Sequence, residues 1–293
     1  DAVESLGSVQ VFCMDKTGTL TQNRMAVVAA YGGNDAIDVT EKRFLLGGAA
    51  IDPLAREELV RLMQVVSLCS ETELKGPTGN YELEGSATEN ALVDMALDAG
   101  IDVRGLREEY AKQRTRYRAE GRPYMSTFHT TPDGGKSLLA VKGSPDAVLA
   151  LCNDWIVDGK KVKLTKAARD KILAQNESMA GNALRVLAGA YMEVDGDTMP
   201  EKTEHLTWLG LAGMADPMRP GMDKLIAQFH VAGIQTIMIT GDQSATAQAI
   251  GKQLGLSGDK PLQVLESSKL EDMEPELLAG LVKNVHVFAR VSP

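Results

Sequence analysis

The chain has 293 residues, of which 44% are hydrophobic and 24% charged, and its formal net charge is −9. That length suggests about two domains at roughly 100–200 residues each, and the composition excludes an intrinsically disordered chain. An acidic chain with no basic block excludes nucleic acid and an anionic membrane face as expected partners.

Residues 9–14, rich in strand formers, read as a buried parallel strand ending at Asp15. Residues 55–69 carry an amphipathic helical pattern. Residues 89–99 carry another, with Ala91, Leu92, Met95 and Ala96 at helical spacing. Residues 137–141 and 155–157 read as short strands, the second followed by an Asp158-Gly159 turn, and residues 166–179 as a helix. A helix over 223–232 then leads into a strand over 234–239, which ends in Thr240-Gly241-Asp242. A helix over 244–254 and a strand over 285–290 follow.

Alternation of strand, loop and helix at the two ends predicts an α/β domain, a doubly wound parallel sheet. The different middle predicts an inserted α+β module. The expected boundaries are 1–25 and 205–293 for the sheet domain and 26–204 for the insertion. Ligands of such sheets sit beyond the carboxyl ends of the strands, and the clusters at Asp15 and Thr240 both fall there.

Cys13, Cys69 and Cys152 have no CxxC spacing and read as reduced, buried thiols. His129, His205, His230 and His286 lack metal-ligand spacing and read as structural. No run approaches ~18 apolar residues. The opening Asp1-Ala2-Val3-Glu4 has neither the basic start nor the apolar run of a signal peptide. Together these features predict a soluble cytosolic chain.

The most specific signal is Asp15-Lys16-Thr17-Gly18-Thr19-Leu20-Thr21. A carboxylate at a strand end can attack the γ-phosphate of ATP and become an aspartyl phosphate. Two anionic groups must then approach each other, which calls for a cation, a lysine and backbone N–H groups around the phosphoryl oxygens. Gly18 permits a tight turn over the site. This heptapeptide resembles the phosphorylation motif of P-type cation-transporting ATPases, and the resemblance covers essentially the whole chain. It implies a haloacid-dehalogenase-like sheet, with Asp15 as nucleophile and Lys16, Thr17 and Thr19 around it. Mg²⁺ would be bound by the Asp15 carboxylate and the Thr17 carbonyl. Related phosphatases commonly carry a second Asp where Thr17 stands, and a threonine cannot act as general acid and base near neutral pH.

Thr240-Gly241-Asp242 resembles the family's second phosphate-binding element. There the Thr240 hydroxyl and Gly241 N–H would hold phosphoryl oxygens, with Asp242 ordering the loop or lying near the nucleotide. Asp216-Pro217-Met218-Arg219-Pro220 resembles the DPxRP element, whose Asp216 and Arg219 would help position ATP at the hinge. Lys142-Gly143-Ser144-Pro145-Asp146 resembles KGAPE, so Lys142 would line the adenine pocket and Gly143 would let the base approach the backbone. The stretch from Gly85 to Leu92 resembles G-x-x-T-E-x-A-L, with Glu89 accepting from the adenine amino group. Leu184-Arg185-Val186 resembles the segment whose arginine, here Arg185, reaches the phosphates. The family's base-stacking aromatic is expected seven residues before Met125-Ser126, where Arg118 stands. Either the neighbouring Tyr117 stacks, or Arg118 covers the base as a planar cation.

The resemblance therefore implies the ATP-hydrolysing part of a membrane cation pump of the calcium-pump-like branch, on the cytoplasmic face, with ATP and Mg²⁺. Membrane and actuator domains would be its partners in the parent protein. A soluble phosphatase and a nucleotide-binding fragment without turnover are the alternatives. The stretch 288–293 resembles one that the family follows with a further lysine and a GDGxND loop, so the resemblance implies a truncated phosphorylation domain that labels weakly. Its third strand is expected to be an unprotected edge open to self-association.

Overall fold

The computed structural model of the protein describes residues 9–40, 42–132, 134–270 and 273–291; the opening tetrapeptide and the last two residues of the 288–293 stretch lie outside them. Contacts divide the chain into two compact units. One comprises residues 1–24, 181–183 and 216–293, the other residues 25–180 and 184–215. The second unit is thus inserted into the first.

In the first unit, four parallel strands stand in the order Val11–Asp15, Gln235–Ile239, Val287–Ala289, Val264–Glu266. The helices Met222–Val231 and Ser244–Gln253 belong to the same unit. Met14, Leu20, Ile226, Met238, Ala247, Leu254 and Val287 form its core. Each sheet strand is a short apolar run, as expected of a parallel sheet.

The edge prediction needs correction. The strand Val287–Ala289 is internal, because Val264–Glu266 pairs along its far side. Three residues are too few to show a period, so that strand left no trace in the pattern. Among the described residues the sheet's two edges are Val264–Glu266 and Val11–Asp15, and in the latter Val11, Phe12 and Cys13 are exposed, so the strand expected to be buried is an edge and Cys13 is not a buried thiol.

In the second unit, an eleven-stranded sheet runs in the order Ala49–Ile51, Arg43–Leu46, Asp35–Thr40, Ala26–Gly32, Leu206–Ala215, Arg185–Asp195, Lys136–Gly143, Tyr124–Thr130, Lys112–Arg116. Cys152–Val157 joins Leu206–Ala215 in parallel and carries Lys160–Lys163 on its other side. Along Lys136–Gly143 successive side chains enter opposite cores. Leu138 and Ala140 join one cluster, and Leu139 and Val141 the other, following the strand's two-residue period. The helices Glu57–Leu68, Ala87–Asp98 and Val103–Glu109 contribute to the first cluster. Pro145–Ala150 and Lys166–Gly181 contribute to the second.

The sequence boundary at residue 204 also moves. Leu206–Ala215 lies in the middle of the inserted sheet, hydrogen-bonded to both Arg185–Asp195 and Ala26–Gly32, so the inserted unit extends to Ala215. Among the described residues no helix is long and apolar enough to cross a membrane.

Candidate functional site

In the first unit, Asp15 closes the strand Val11–Asp15 opposite Ile239, and Thr240 follows Ile239 directly. The two sequence clusters therefore meet at one end of a parallel pair. Lys16 Nζ lies 2.8 Å from Asp242 Oδ2. Asp242 N–H donates to Thr240 Oγ1 at 3.1 Å, and the buried Thr240 is pinned by its N–H to Phe288 O at 2.9 Å. Asp15, Thr17, Thr19 and Gly241 are exposed at this rim.

The loop after Asp15 is held from within and from one further segment. Gly18 has a φ of 79°, a region that favours glycine. Its N–H donates to Thr21 Oγ1 at 3.2 Å, and Thr21 N–H closes the loop on Lys16 O at 3.1 Å. The Thr21 hydroxyl lies 2.6 Å from Asp216 Oδ2, while Asp216 Oδ1 accepts from Arg24 N–H at 3.2 Å. Arg219 donates to Gly18 O at 2.8 Å through its guanidinium and to Leu20 O at 2.9 Å through its backbone. The segment expected to position a nucleotide thus braces the Asp15 loop. Thr21, the seventh residue of the motif, is the bracing partner that the sequence reading gave no role.

In the inserted unit, the second constellation forms where the helix Ala87–Asp98 meets the strand Lys136–Gly143. Ser86 caps that helix, its side chain accepting from Glu89 N–H, so Glu89 stands in the first turn. Glu89 Oε1 accepts from Lys142 Nζ at 2.6 Å, and Glu89 Oε2 from Glu71 N–H at 2.8 Å and the Ser70 hydroxyl at 3.4 Å. Burial pushes the Glu89 carboxyl up, but the Lys142 ammonium and these hydrogen bonds outweigh it and hold it below the usual carboxylate range.

Gly143 ends the strand. A Cβ there would meet Tyr124 Cβ at 2.4 Å and Pro123 O at 2.6 Å, so glycine is required by the neighbouring strand itself. Tyr117 is exposed, and its hydroxyl donates to Glu71 Oε1 at 2.6 Å. Arg185 opens the strand Arg185–Asp195, exposed and opposite Met214. Ser70, Glu71 and the arginine that braces their turn, Arg107, were missed. Arg107 Nη1 donates to Thr72 O at 2.6 Å and Nη2 to Ser67 O at 2.9 Å. A half-buried guanidinium on the carbonyls at a helix end and the turn after it carries no sequence signature.

The sequence model of the family described as P-type ATPase, cytoplasmic domain N, matches residues 58–221. The chain is 35% identical over its whole length to calcium-transporting ATPase 1 of Lactococcus lactis and 36% identical to a calcium-transporting ATPase of Listeria monocytogenes, covering 32% of each. It is 30% identical to the human calcium-transporting ATPase type 2C member 1, with 99% of the chain and 31% of that protein aligned. The chain spans about a third of the length of these relatives. On the strength of that match and the full-length similarity, the chain belongs to the P-type ATPases and contains their cytoplasmic domain N.

Proposed function

We propose that this chain is the ATP-hydrolysing portion of a membrane cation pump, with Asp15 as the residue phosphorylated. The observation that carries the reading is the approach of Lys16 to Asp242 at 2.8 Å. It brings an Asp-Lys-Thr-Gly-Thr loop and a Thr-Gly-Asp loop to the carboxyl ends of adjacent parallel strands, the position that ligands of such sheets occupy.

The inserted unit would hold the nucleotide. Glu89, kept ionised by Lys142, offers an acceptor for the adenine amino group, and Lys142, Gly143 and Tyr117 would line the base. Arg185 would reach the phosphates. One carboxylate oxygen of Asp15 then attacks the γ-phosphorus, the bond to the β–γ bridging oxygen breaks, and ADP departs with that oxygen's charge. Lys16, the Thr240 hydroxyl and the Gly241 N–H would stabilise the phosphoryl oxygens as charge builds. Thr19 offers a further hydroxyl at the same rim, while Asp216 and Arg219 keep the loop in shape.

Mg²⁺ suits the donors present. The Asp15 carboxylate and Thr17 carbonyl are hard oxygen ligands, and a cation that keeps several waters and binds substrate phosphates needs only one or two carboxylates from the protein. When bound, it would neutralise charge between the carboxylate and the triphosphate. Thr17 leaves no acid–base group two residues after the nucleophile, which favours a lasting aspartyl phosphate over rapid phosphatase turnover. The sheet around Asp15 is in this reading haloacid-dehalogenase-like. Full-length similarity to calcium-transporting ATPases supports calcium as the cargo.

The test is incorporation of label from γ-labelled ATP into the pump that carries this chain. Hydroxylamine-labile label that disappears in Asp15→Asn is the expected outcome. Label that survives Asp15→Asn would overturn the assignment.

A further inference from the structure

Tyr117 is held at both ends. Its hydroxyl donates to Glu71 Oε1 at 2.6 Å, and the Arg122 guanidinium donates to its carbonyl oxygen. The residue is 55% exposed, which leaves room for a ligand against it. Glu71 makes a second connection through its backbone, where its N–H donates to Glu89 Oε2 at 2.8 Å. Its turn is itself fixed, because Arg107 binds the carbonyls of Ser67 and Thr72 on either side of it. Thr72 Oγ1 lies 2.9 Å from Asn90 Oδ1, tying the turn to the helix that bears Glu89.

We propose that Glu71 is a positioning residue for the nucleobase, its carboxylate fixing the Tyr117 ring while its backbone N–H fixes the Glu89 carboxylate. The inference rests on the nucleotide-binding reading above. A stacking surface and a hydrogen-bond acceptor recognise a purine only if both are set in one frame. A free tyrosine on a surface loop has to be ordered when ligand arrives, whereas a tethered one is ordered beforehand. Glu71 supplies the tether from the same residue that orients the acceptor. Among the described residues no such link reaches Arg118, the alternative base-covering group.

The experiment measures ATP affinity by calorimetry for the wild type, Glu71→Ala, Tyr117→Phe and the double variant. Glu71→Ala keeps the backbone N–H to Glu89 and so isolates the carboxylate. Each single change is expected to weaken ATP binding roughly 3- to 10-fold, and the double variant no more than the stronger single. The adenine H2 and H8 protons of bound ATP, which a stacked ring shifts upfield in the NMR spectrum, add a readout that a structural role would not move. Their upfield shift in the bound state should fall in Glu71→Ala.

Unchanged affinity, unchanged upfield shifts, or losses that multiply in the double variant would each overturn the role of Glu71. Lys142→Ala separates the two levels of the argument. Wild-type binding that is weakened by Lys142→Ala but untouched by Glu71→Ala defeats this inference alone. No ATP binding by the folded wild type defeats the nucleotide reading and this inference with it.

Discussion

Lys142 and Glu89 face each other at 2.6 Å with only 5% and 16% of their side chains exposed. Removing one partner from such a pair strands the other charge in a poorly solvated place. Lys142→Met should therefore cost roughly 2–4 kcal/mol, read as a shift in the urea midpoint. The double variant Lys142→Met with Glu89→Gln should recover part of that loss. The carboxyl of Glu89 titrates below its ordinary range in the fold, so its contribution is full above the ordinary carboxylate pKa. It declines as pH falls through the lowered value.

His129 should add an acid sensitivity of its own at higher pH. It is buried, its Nε2 lies 2.8 Å from Thr127 Oγ1 and its Nδ1 3.0 Å from Tyr110 O. Burial pushes its pKa down from 6.5 to about 4. The unfolded chain then takes up a proton that the folded chain refuses, so stability is complete above about pH 6.5 and falls between there and about pH 4. Roughly 3 kcal/mol is at stake across that window, at 1.36 kcal/mol per pKa unit. Denaturant midpoints of wild type and His129→Gln at pH 5 and pH 7.5 should show a smaller difference in the variant.

Gly143 should tolerate no side chain. The contacts that a Cβ would make with Tyr124 Cα at 2.5 Å and with Pro123 O at 2.6 Å involve main chain at the start of the adjacent strand. Gly143→Ala is expected to lose about 1–3 kcal/mol through overpacking, and to weaken ATP binding because Lys142 shares that strand. A variant with wild-type stability would show that the two strands separate easily.

Thr21→Val tests the brace on the Asp15 loop. It removes the hydroxyl that meets Asp216 Oδ2 at 2.6 Å and Gly18 N–H at 3.2 Å, at a fully buried position. Leaving a half-buried carboxylate oxygen and an N–H without that partner should cost roughly 1 kcal/mol, toward the lower end of the range for a fully buried site. Labelling of Asp15 should fall as well, whereas Thr21→Ser should restore most of both losses.

Much of the first unit could be read directly. The runs ending at Asp15 and at Thr240-Gly241-Asp242 are short, apolar and followed by polar turns, and both are parallel strands, but only Gln235–Ile239 has the burial that such a run predicts, since Met14 alone is buried in Val11–Asp15. The inserted sheet was harder. Leu206–Ala215 is buried along nearly its whole length, lies between two cores and carries two glycines, so it shows neither alternation nor a β-branched run. Gly210 in that strand has no room for a side chain, because a Cβ would sit 2.1 Å from Tyr31 O. Of the site, Lys142 and Glu89 were legible through their motifs and do meet. Glu71 acts through a tertiary contact and a backbone N–H, neither of which leaves a mark in sequence.

The insertion leaves and rejoins the sheet through paired neighbours, Ala26 standing opposite Ala215. This has a consequence for synthesis. The strand Val11–Asp15 emerges from the ribosome first, yet its partner Gln235–Ile239 emerges only after the whole inserted unit. At about 5–20 residues per second the wait is on the order of ten seconds or more. The inserted unit can close its ladder as soon as Leu206–Ala215 has been made. The Asp15 loop is thus translated early but acquires the opposing Thr240-Gly241-Asp242 turn late, and during the interval the apolar stretch before Asp15 is a natural client for a chaperone.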